Sequence, residues 1–480
     1  MYFNRSYDEG LAQASYMVGC QEEGTAVVVD PRRDLRVYLE LAVREGLRIV
    51  AVTETHIHAD YLSGARELAE QTGAALYLSD EGGEDWQYGF PHQGLCNGSE
   101  IKLGKVTLRA LHTPGHTPEH LSFLVSDGAR TDEPVMLLSG DFVFVGDLGR
   151  PDLLDEAAEA TDTRFAGAQQ LFGSLRDVFL TLPEHVQVWP GHGSGSACGK
   201  ALGAVPSTTV GYERLFAWWS PFLGGGSVAG LGDGSANISE NGSAEGDSKG
   251  FSRELLSGQP DVPSYFARMK RQNRDGPAPV PTRELAELEP GDLEGTLLLD
   301  TRSREAYQQG SLANAISLSA GKNFETWAGW LLDPERETRP LVLLAQDGAE
   351  AQGLRERLWR VGIDDVAGYV TSLEALPLQE NLPLSPRKFD ALEDKFVLDV
   401  RTKAEYADGH IPGATLIHAG RLPEQLDDLP RDVPIVVHCQ SGMRSVGAAS
   451  LLRVHGFEDV RELAGGYPGW LRGQAVETSV

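Results

Sequence analysis

The sequence predicts a multidomain α/β protein, and three observations predict it. The chain has 480 residues, too many for one ordinary domain. Short apolar runs alternate with helix-period patterns through residues 1–215. Beyond a stiff linker, Gly276-Pro277-Ala278-Pro279-Val280-Pro281, a segment of about a hundred residues occurs twice.

The elements follow in order. Residues 26–29 read as a strand ending at Asp30-Pro31, residues 34–45 as a helix, 48–52 as a strand and 62–71 as a helix. Residues 56–60 follow the second strand, where α/β proteins place functional loops. Residues 224–250 are rich in Gly, Ser, Asn and acidic groups and read as a flexible insertion. Residues 251–274 regain Tyr265, Phe266 and Met269 and are expected to pack back on the first domain. The predicted domains are 1–275, 282–378 and 384–480. In the repeat, 298–307 matches 397–406 and 340–348 matches 434–442. The copies share a pattern but not a site: Ala345 stands where the second copy has Cys439, and Glu350 where it has Arg444.

Composition narrows the function. The chain is 41% hydrophobic and 23% charged, which suits globular domains with real cores. With 42 Lys and Arg against 70 Asp and Glu, the net charge is -28. That balance, without a basic stripe, disfavours nucleic acid and anionic membrane. Cys20, Cys96, Cys198 and Cys439 form no CxxC pair and no disulfide framework. Residues 1–8 lack a signal-peptide pattern, and no apolar run approaches a membrane span. A cytoplasmic homo-oligomer is expected.

Two chemical sites stand out. The first is a metal pocket: Thr55-His56-Ile57-His58-Ala59-Asp60, then Pro114-Gly115-His116, Gly140-Asp141 and Pro190-Gly191-His192. Imidazole and carboxylate suit a first-row metal. His116 and His192 each follow a Pro-Gly turn that projects the next side chain, and Asp141 follows a predicted strand, 135–138, and a glycine.

These segments resemble the metallo-β-lactamase superfamily, and the resemblance spans residues 1–275. It implies an αββα sandwich. The superfamily's first motif is H-x-H-x-D-H, and here Tyr61 replaces the final histidine. That departure weakens a second metal ion, because Asp60 and His192 remain but one imidazole is lost. Thr113-Pro114-Gly115-His116-Thr117-Pro118 and Gly146-Asp147-Leu148-Gly149-Arg150-Pro151-Asp152 look like the persulfide dioxygenase branch. The likeness implies one Fe(II) per chain, held by His56, His116 and Asp141, with zinc as a substitute. A two-histidine, one-carboxylate set leaves open positions for substrate and oxygen. His58, Asp60 and His192 then orient ligands, move protons or hold a second metal. Cys198, in Gly193-Ser194-Gly195-Ser196-Ala197-Cys198, resembles a cysteine found near the iron pocket of dioxygenases fused to rhodanese domains, and is a candidate sulfur relay. Arg150, Tyr212 and Arg214 are candidates to meet an anionic thiol carrier. His92, His112 and His120 hold no motif position, and Cys20 and Cys96 are expected to be structural.

The second site is a reactive cysteine. Cys439 follows a buried-strand pattern at 435–438 and precedes a helical run over 445–455. Backbone N–H groups, the helix dipole and Arg444 favour a thiolate there, and the same cradle suits a persulfide anion. The loop is Gln440, Ser441, Gly442 and Met443, with Gly442 permitting the tight turn. Asp399 with Arg401, His410-Ile411-Pro412-Gly413-Ala414 and the C-x4-R loop resemble the rhodanese family. The resemblance gives Cys439 the nucleophile's role, Arg444 the anion-binding role and Asp399–Arg401 a structural ion pair. It implies two rhodanese-like domains, the first without its cysteine.

The function expected is oxidation of a low-molecular-weight thiol persulfide by O2 to sulfite, coupled to sulfur transfer that forms thiosulfate or loads persulfide. The alternative is a dinuclear-metal thioester hydrolase of the glyoxalase II type with an appended sulfurtransferase.

Overall fold

A computed structural model describes residues 1–153, 163–224, 247–374 and 376–477. The chain divides into two compact units: Met1–Val262 with Phe266–Pro279, and Pro263–Tyr265 with Val280–Val480.

The first unit holds two six-stranded sheets. One runs β1 (Tyr2–Asp8), β2 (Gln13–Cys20), β3 (Thr25–Val29), β4 (Arg48–Thr53), β5 (Ala75–Ser79), β6 (Gln93–Leu95). The other runs β7 (Glu100–Leu103), β8 (Val106–His112), β9 (Leu121–Asp127), β10 (Pro134–Gly140), β11 (Gln187–Pro190), β12 (Thr208–Thr209). Both mix parallel and antiparallel pairs; β10 and β11 are parallel. All eight residues of β2 are buried, because both of its faces are covered. Ala14, Tyr16, Val18 and Cys20 meet Leu108, Phe123 and Leu138 between the sheets. Met17 joins the opposite face, under the helices Arg36–Glu45 and Ala65–Thr72. The second sheet's outer face is covered by Thr163–Asp177 and Ser248–Leu256. The layers are therefore αββα. Each fully buried Val, Leu or Phe here contributes about 1.5–3 kcal/mol.

Phe251 and Leu255 lie in that outer core, and Phe266 and Met269 are buried in the helix Phe266–Asp275. Tyr265 departs from the expected packing: it belongs to the second unit, where its ring meets Trp330. The insertion expected over 224–250 lies outside the described residues across 225–246. It ends earlier than expected, because Asp247 caps a helix from Ser248 by accepting the Gly250 N–H.

The second unit holds two parallel sheets. Their orders are β13 (Ala286–Glu287), β17 (Val366–Val370), β16 (Leu341–Leu344), β14 (Leu297–Asp300), β15 (Ala315–Ser317), and β19 (Thr415–Leu416), β18 (Phe396–Asp399), β20 (Ile435–His438), β21 (Val460–Glu462). The central strands β14, β16 and β20 are buried along their whole length, as strands covered on both faces must be. The two repeats share packing. Val446 of the second lies in the core of the first, and Ser450 Oγ accepts the Ser317 N–H at 3.0 Å. The helix expected over 445–455 spans Met443–Val454, which brings Arg444 into its first turn.

Candidate functional site

Chain topology gathers the first site. Thr55–Asp60 leaves the end of β4, the 113–120 loop joins β8 to β9, and Asp141 and His192 follow β10 and β11. Parallel register sets Gly140 opposite Pro190, and Gly191 N–H donates to Gly140 O at 2.8 Å. Leu121 N–H donates to Thr55 O at 2.7 Å, which ties the two sheets together at the site. Gly140 has φ +52°, and a Cβ there would stand 2.7 Å from His120 Nε2 and from Thr55. Only glycine allows that approach.

His56, His116 and Asp141 are buried, with one donor atom from each lying within 4.8 Å of the others. Their second atoms are already committed. His56 Nδ1 meets Thr55 Oγ1 at 3.0 Å, and His116 Nδ1 donates to Arg150 O at 2.9 Å. Both imidazoles therefore turn Nε2 inward, the tautomer a metal needs. Burial lowers both imidazole pKa values, His56 well below the ordinary range, so the lone pairs stay free.

Asp60, His192 and Cys198 form a second buried donor set of the same span. His192 Nδ1 faces Ala12 O at 3.2 Å, leaving Nε2 3.3 Å from Asp60 Oδ2 and 3.4 Å from Asp141 Oδ1. His58 Nε2 meets Asp30 Oδ1 at 3.1 Å, and its Nδ1 is buried without a hydrogen-bond partner among the described residues. Burial lowers the His58 pKa, but the Asp30 carboxylate overrides it and raises it to about 9.

The residues present fit a cation. Both carboxylate oxygens of Asp60 and of Asp141, and His192 Nε2, are buried without a hydrogen-bond partner among the described residues. Buried carboxylates stripped of water are costly unless a positive charge stands between them. Nitrogen and oxygen donors in this number suit iron or zinc.

Several supporting residues had no motif to announce them. Asp30 accepts from Thr55 N–H at 2.7 Å and Thr55 Oγ1 at 3.0 Å, from a left-handed backbone at φ +53°. His120 Nε2 accepts the Asp141 N–H at 3.0 Å, and its ring stacks on His56 at 5.2 Å. Glu119 accepts the Ile57 N–H at 2.7 Å. Asn273 donates to His58 O and Tyr61 O, both at 2.7 Å, and accepts from Ser63 N–H. Tyr61 is fully buried, and its hydroxyl donates to Asp30 O at 3.3 Å. Arg150 is not available to an anionic carrier. It is buried and bound to Asp152, Ala197 O and Pro260 O. Arg214 pairs with Glu184, and Tyr212 is exposed. Cys20 is buried, whereas Cys96 is exposed rather than part of a core. Cys198 is buried, and burial pushes its thiol well above the ordinary range.

The second site closes around Cys439, which is buried. Gly442 N–H donates to its Sγ at 3.1 Å, and Ser445 Oγ lies 3.6 Å away. Gly442 sits at φ +103° and caps the helix Met443–Val454. Gln440 and Ser441 are exposed, and Met443 is 55% exposed. Arg444 is forked onto Glu405 at 2.6 and 2.7 Å, and this pairing holds the Glu405 carboxyl down to about 2. Asp399 and Arg401 form a buried pair at 2.7 Å, and Arg401 also donates to Gly409 O.

The Metallo-beta-lactamase superfamily profile matches residues 8–192, and the Rhodanese-like domain profile matches 283–376 and 386–472. A metallo-beta-lactamase crystal structure from Staphylococcus aureus is 37% identical, with a TM-score of 0.67, over 77% of this chain and 99% of that one. The mitochondrial persulfide dioxygenase of Bos taurus is 27% identical over 186 residues, 37% of this chain and 63% of its own length. A hydroxyacylglutathione hydrolase of Nitrosococcus oceani is 30% identical over 179 residues, 37% of this chain and 61% of its own length. The match thus spans less than two thirds of each of these two enzymes. The sandwich, its gathered histidines and the duplicated parallel domains agree with the profiles: the chain belongs to the metallo-β-lactamase superfamily and carries two rhodanese-like domains.

Proposed function

We propose that this protein oxidises a low-molecular-weight thiol persulfide with O2 at the first site and transfers sulfane sulfur at the second. The reading rests on one observation above all. His56, His116 and Asp141 bring two imidazole nitrogens and a carboxylate oxygen within 4.8 Å of one another, while His58 Nε2 is committed to Asp30. That donor set would suit a single ferrous ion.

The oxidation balances as persulfide, O2 and water giving the parent thiol and sulfurous acid. The S–S bond breaks, the terminal sulfur gives up four electrons to O2, and water supplies the third oxygen. Ferrous iron, when bound, supplies the redox chemistry that lets O2 react, which zinc lacks. The chain supplies orientation. Thr55 and Arg150 O fix the imidazole tautomers, and His120 holds the Asp141 backbone. His192 Nε2, between Asp60 and Asp141, is placed to hold or pass a proton. At the second site the Cys439 sulfur attacks the outer sulfur of thiosulfate. The Cys439–S bond forms, the donor's S–S bond breaks, and sulfite leaves with the bonding pair. The reverse direction makes thiosulfate from sulfite. Cytoplasmic location and homo-oligomeric assembly belong to the same proposal.

The second reading, thioester hydrolysis by two metals, is favoured by the Asp60, His192 and Cys198 set. Anaerobic iron reconstitution followed by O2 consumption and sulfite release with glutathione persulfide tests the first. About one iron per chain and stoichiometric sulfite support it. Two zinc ions with brisk thioester cleavage and no O2 uptake overturn it.

A further inference from the structure

The middle domain has no cysteine, yet its side chains reach the Cys439 loop. Arg304 begins the helix Arg304–Gln309, and its Nη1 donates to the Ser441 carbonyl at 2.7 Å. Nε and Nη2 of the same guanidinium are held by Glu305, at 3.2 and 2.9 Å. The fork is therefore anchored in its own domain and extends one nitrogen toward the neighbouring repeat.

The acceptor it takes matters. The Ser441 carbonyl and the Gly442 N–H belong to one peptide unit. The peptide is trans, so the two groups point in opposite directions across one plane. On one side stands Arg304; on the other, the Gly442 N–H points at Cys439 Sγ at 3.1 Å. Holding the carbonyl outward holds the donor inward. Gly442, at φ +103°, tolerates either orientation of this plane, because glycine pays no Cβ penalty. A flipped plane would aim the Ser441 oxygen at the sulfur and repel a thiolate or persulfide anion. The Arg304 guanidinium, donating to the Ser441 carbonyl, opposes that flip. It packs so closely that a Cβ on Gly442 would lie 2.0 Å from Nη1.

A second thread runs to the same sulfur. Gln308 donates to buried Glu462 at 3.1 Å, Glu462 accepts from Ser445 Oγ at 3.3 Å, and Ser445 Oγ faces Cys439. The helix carrying Ser445 is built into the middle domain's core through Val446.

We propose that the cysteine-free domain is the positioning half of the sulfur-transfer site, with Arg304 as the residue that locks the Ser441–Gly442 peptide so that its N–H faces the Cys439 sulfur. The proposal rests on the reading of Cys439 as the sulfur acceptor.

The test uses the full chain. Arg304→Met keeps the stem and removes the donor; Arg304→Lys keeps a donor. Thiosulfate-to-cyanide sulfur transfer is expected to lose about tenfold in kcat in Arg304→Met, with KM for cyanide within about twofold, and to recover in Arg304→Lys. Alkylation of Cys439 by iodoacetamide, followed by peptide mass spectrometry, is expected to slow in Arg304→Met and recover in Arg304→Lys. Arg304→Ala serves the same purpose should the methionine variant misfold, thermal unfolding being the check. Wild-type rates in Arg304→Met, or equal loss in the methionine and lysine variants, overturn the proposal. Absence of sulfur transfer in the wild-type chain overturns the reading of Cys439 instead, and the alkylation rates still decide the role of Arg304.

Discussion

Glu350 Oε2 accepts the Gln346 N–H at 2.6 Å, closing the loop of the middle repeat on a carboxylate. In the other repeat the corresponding position is Arg444, which turns to Glu405 and leaves its loop to a sulfur. The middle loop thus lacks a nucleophile, because Ala345 stands there, and also carries the wrong charge for an anion. Ala345→Cys alone, in a Cys439→Ser background, is expected to give under about 1% of wild-type thiocyanate formation, since a persulfide beside Glu350 meets like charge. Ala345→Cys with Glu350→Arg is expected to exceed the single variant at least about tenfold. Equal activity in the two would show that the carboxylate does not silence the loop.

The two sites lie in different compact units and draw on no common residue. His116→Ala removes one imidazole of the first set and is expected to abolish persulfide-dependent O2 uptake while thiocyanate formation persists within about twofold. Cys439→Ser is expected to do the reverse. An oxygen electrode and a colorimetric thiocyanate assay on the same two preparations check both halves. Loss of both activities in either well-folded variant contradicts separable sites.

Much of this was legible because it is periodic or punctuated. The strand expected at 435–438 is β20, and strands expected at 26–29 and 48–52 lie within β3 and β4, each one residue longer. Pro-Gly-His and Gly-Asp turns announced His116, His192 and Asp141, and the structure brings all three together with His56, as it does Asp60 and Cys198. What was not legible is what tertiary contact recruits. Asp30, His120, Asn273 and Arg304 are ordinary residues in sequence, and each matters because a distant backbone group comes to it. Asn273 lies 215 residues from the His58 carbonyl it holds. Arg150 misled for the same reason: its charge is consumed by Asp152 and two carbonyls that no spacing rule reveals.

Metal content separates the two donor sets. Asp141→Ala removes the carboxylate of the His56–His116 set and is expected to weaken iron binding at least about tenfold. Cys198→Ser changes a donor of the second set and is expected to retain about one iron per chain. Titration of anaerobic apoprotein with Fe(II), read by elemental analysis after desalting, checks both. Loss of the iron in Cys198→Ser would place the ion among Asp60, His192 and Cys198 and favour the two-metal reading.

Glu213 carries a pH dependence of stability that lies outside both sites. Burial pushes its carboxyl up to about 7, although Gly146 N–H donates to its oxygens at 3.2 and 3.3 Å. The unfolded carboxyl titrates near 4.5. A raised carboxyl binds its proton more tightly in the folded state. Its neutral form therefore fits the fold, and stability is lost as pH rises from about 4.5 through about 7. Glu213→Gln keeps an oxygen for Gly146 and removes the charge. It is expected to raise Tm at pH 8, by a gain of about 1–2 kcal/mol, and to bring little change at pH 4.5. Thermal unfolding of both proteins across that range checks the sign. A glutamine variant less stable than wild type at pH 8 would mean that the ionised carboxylate, through Gly146, outweighs the burial that opposes it.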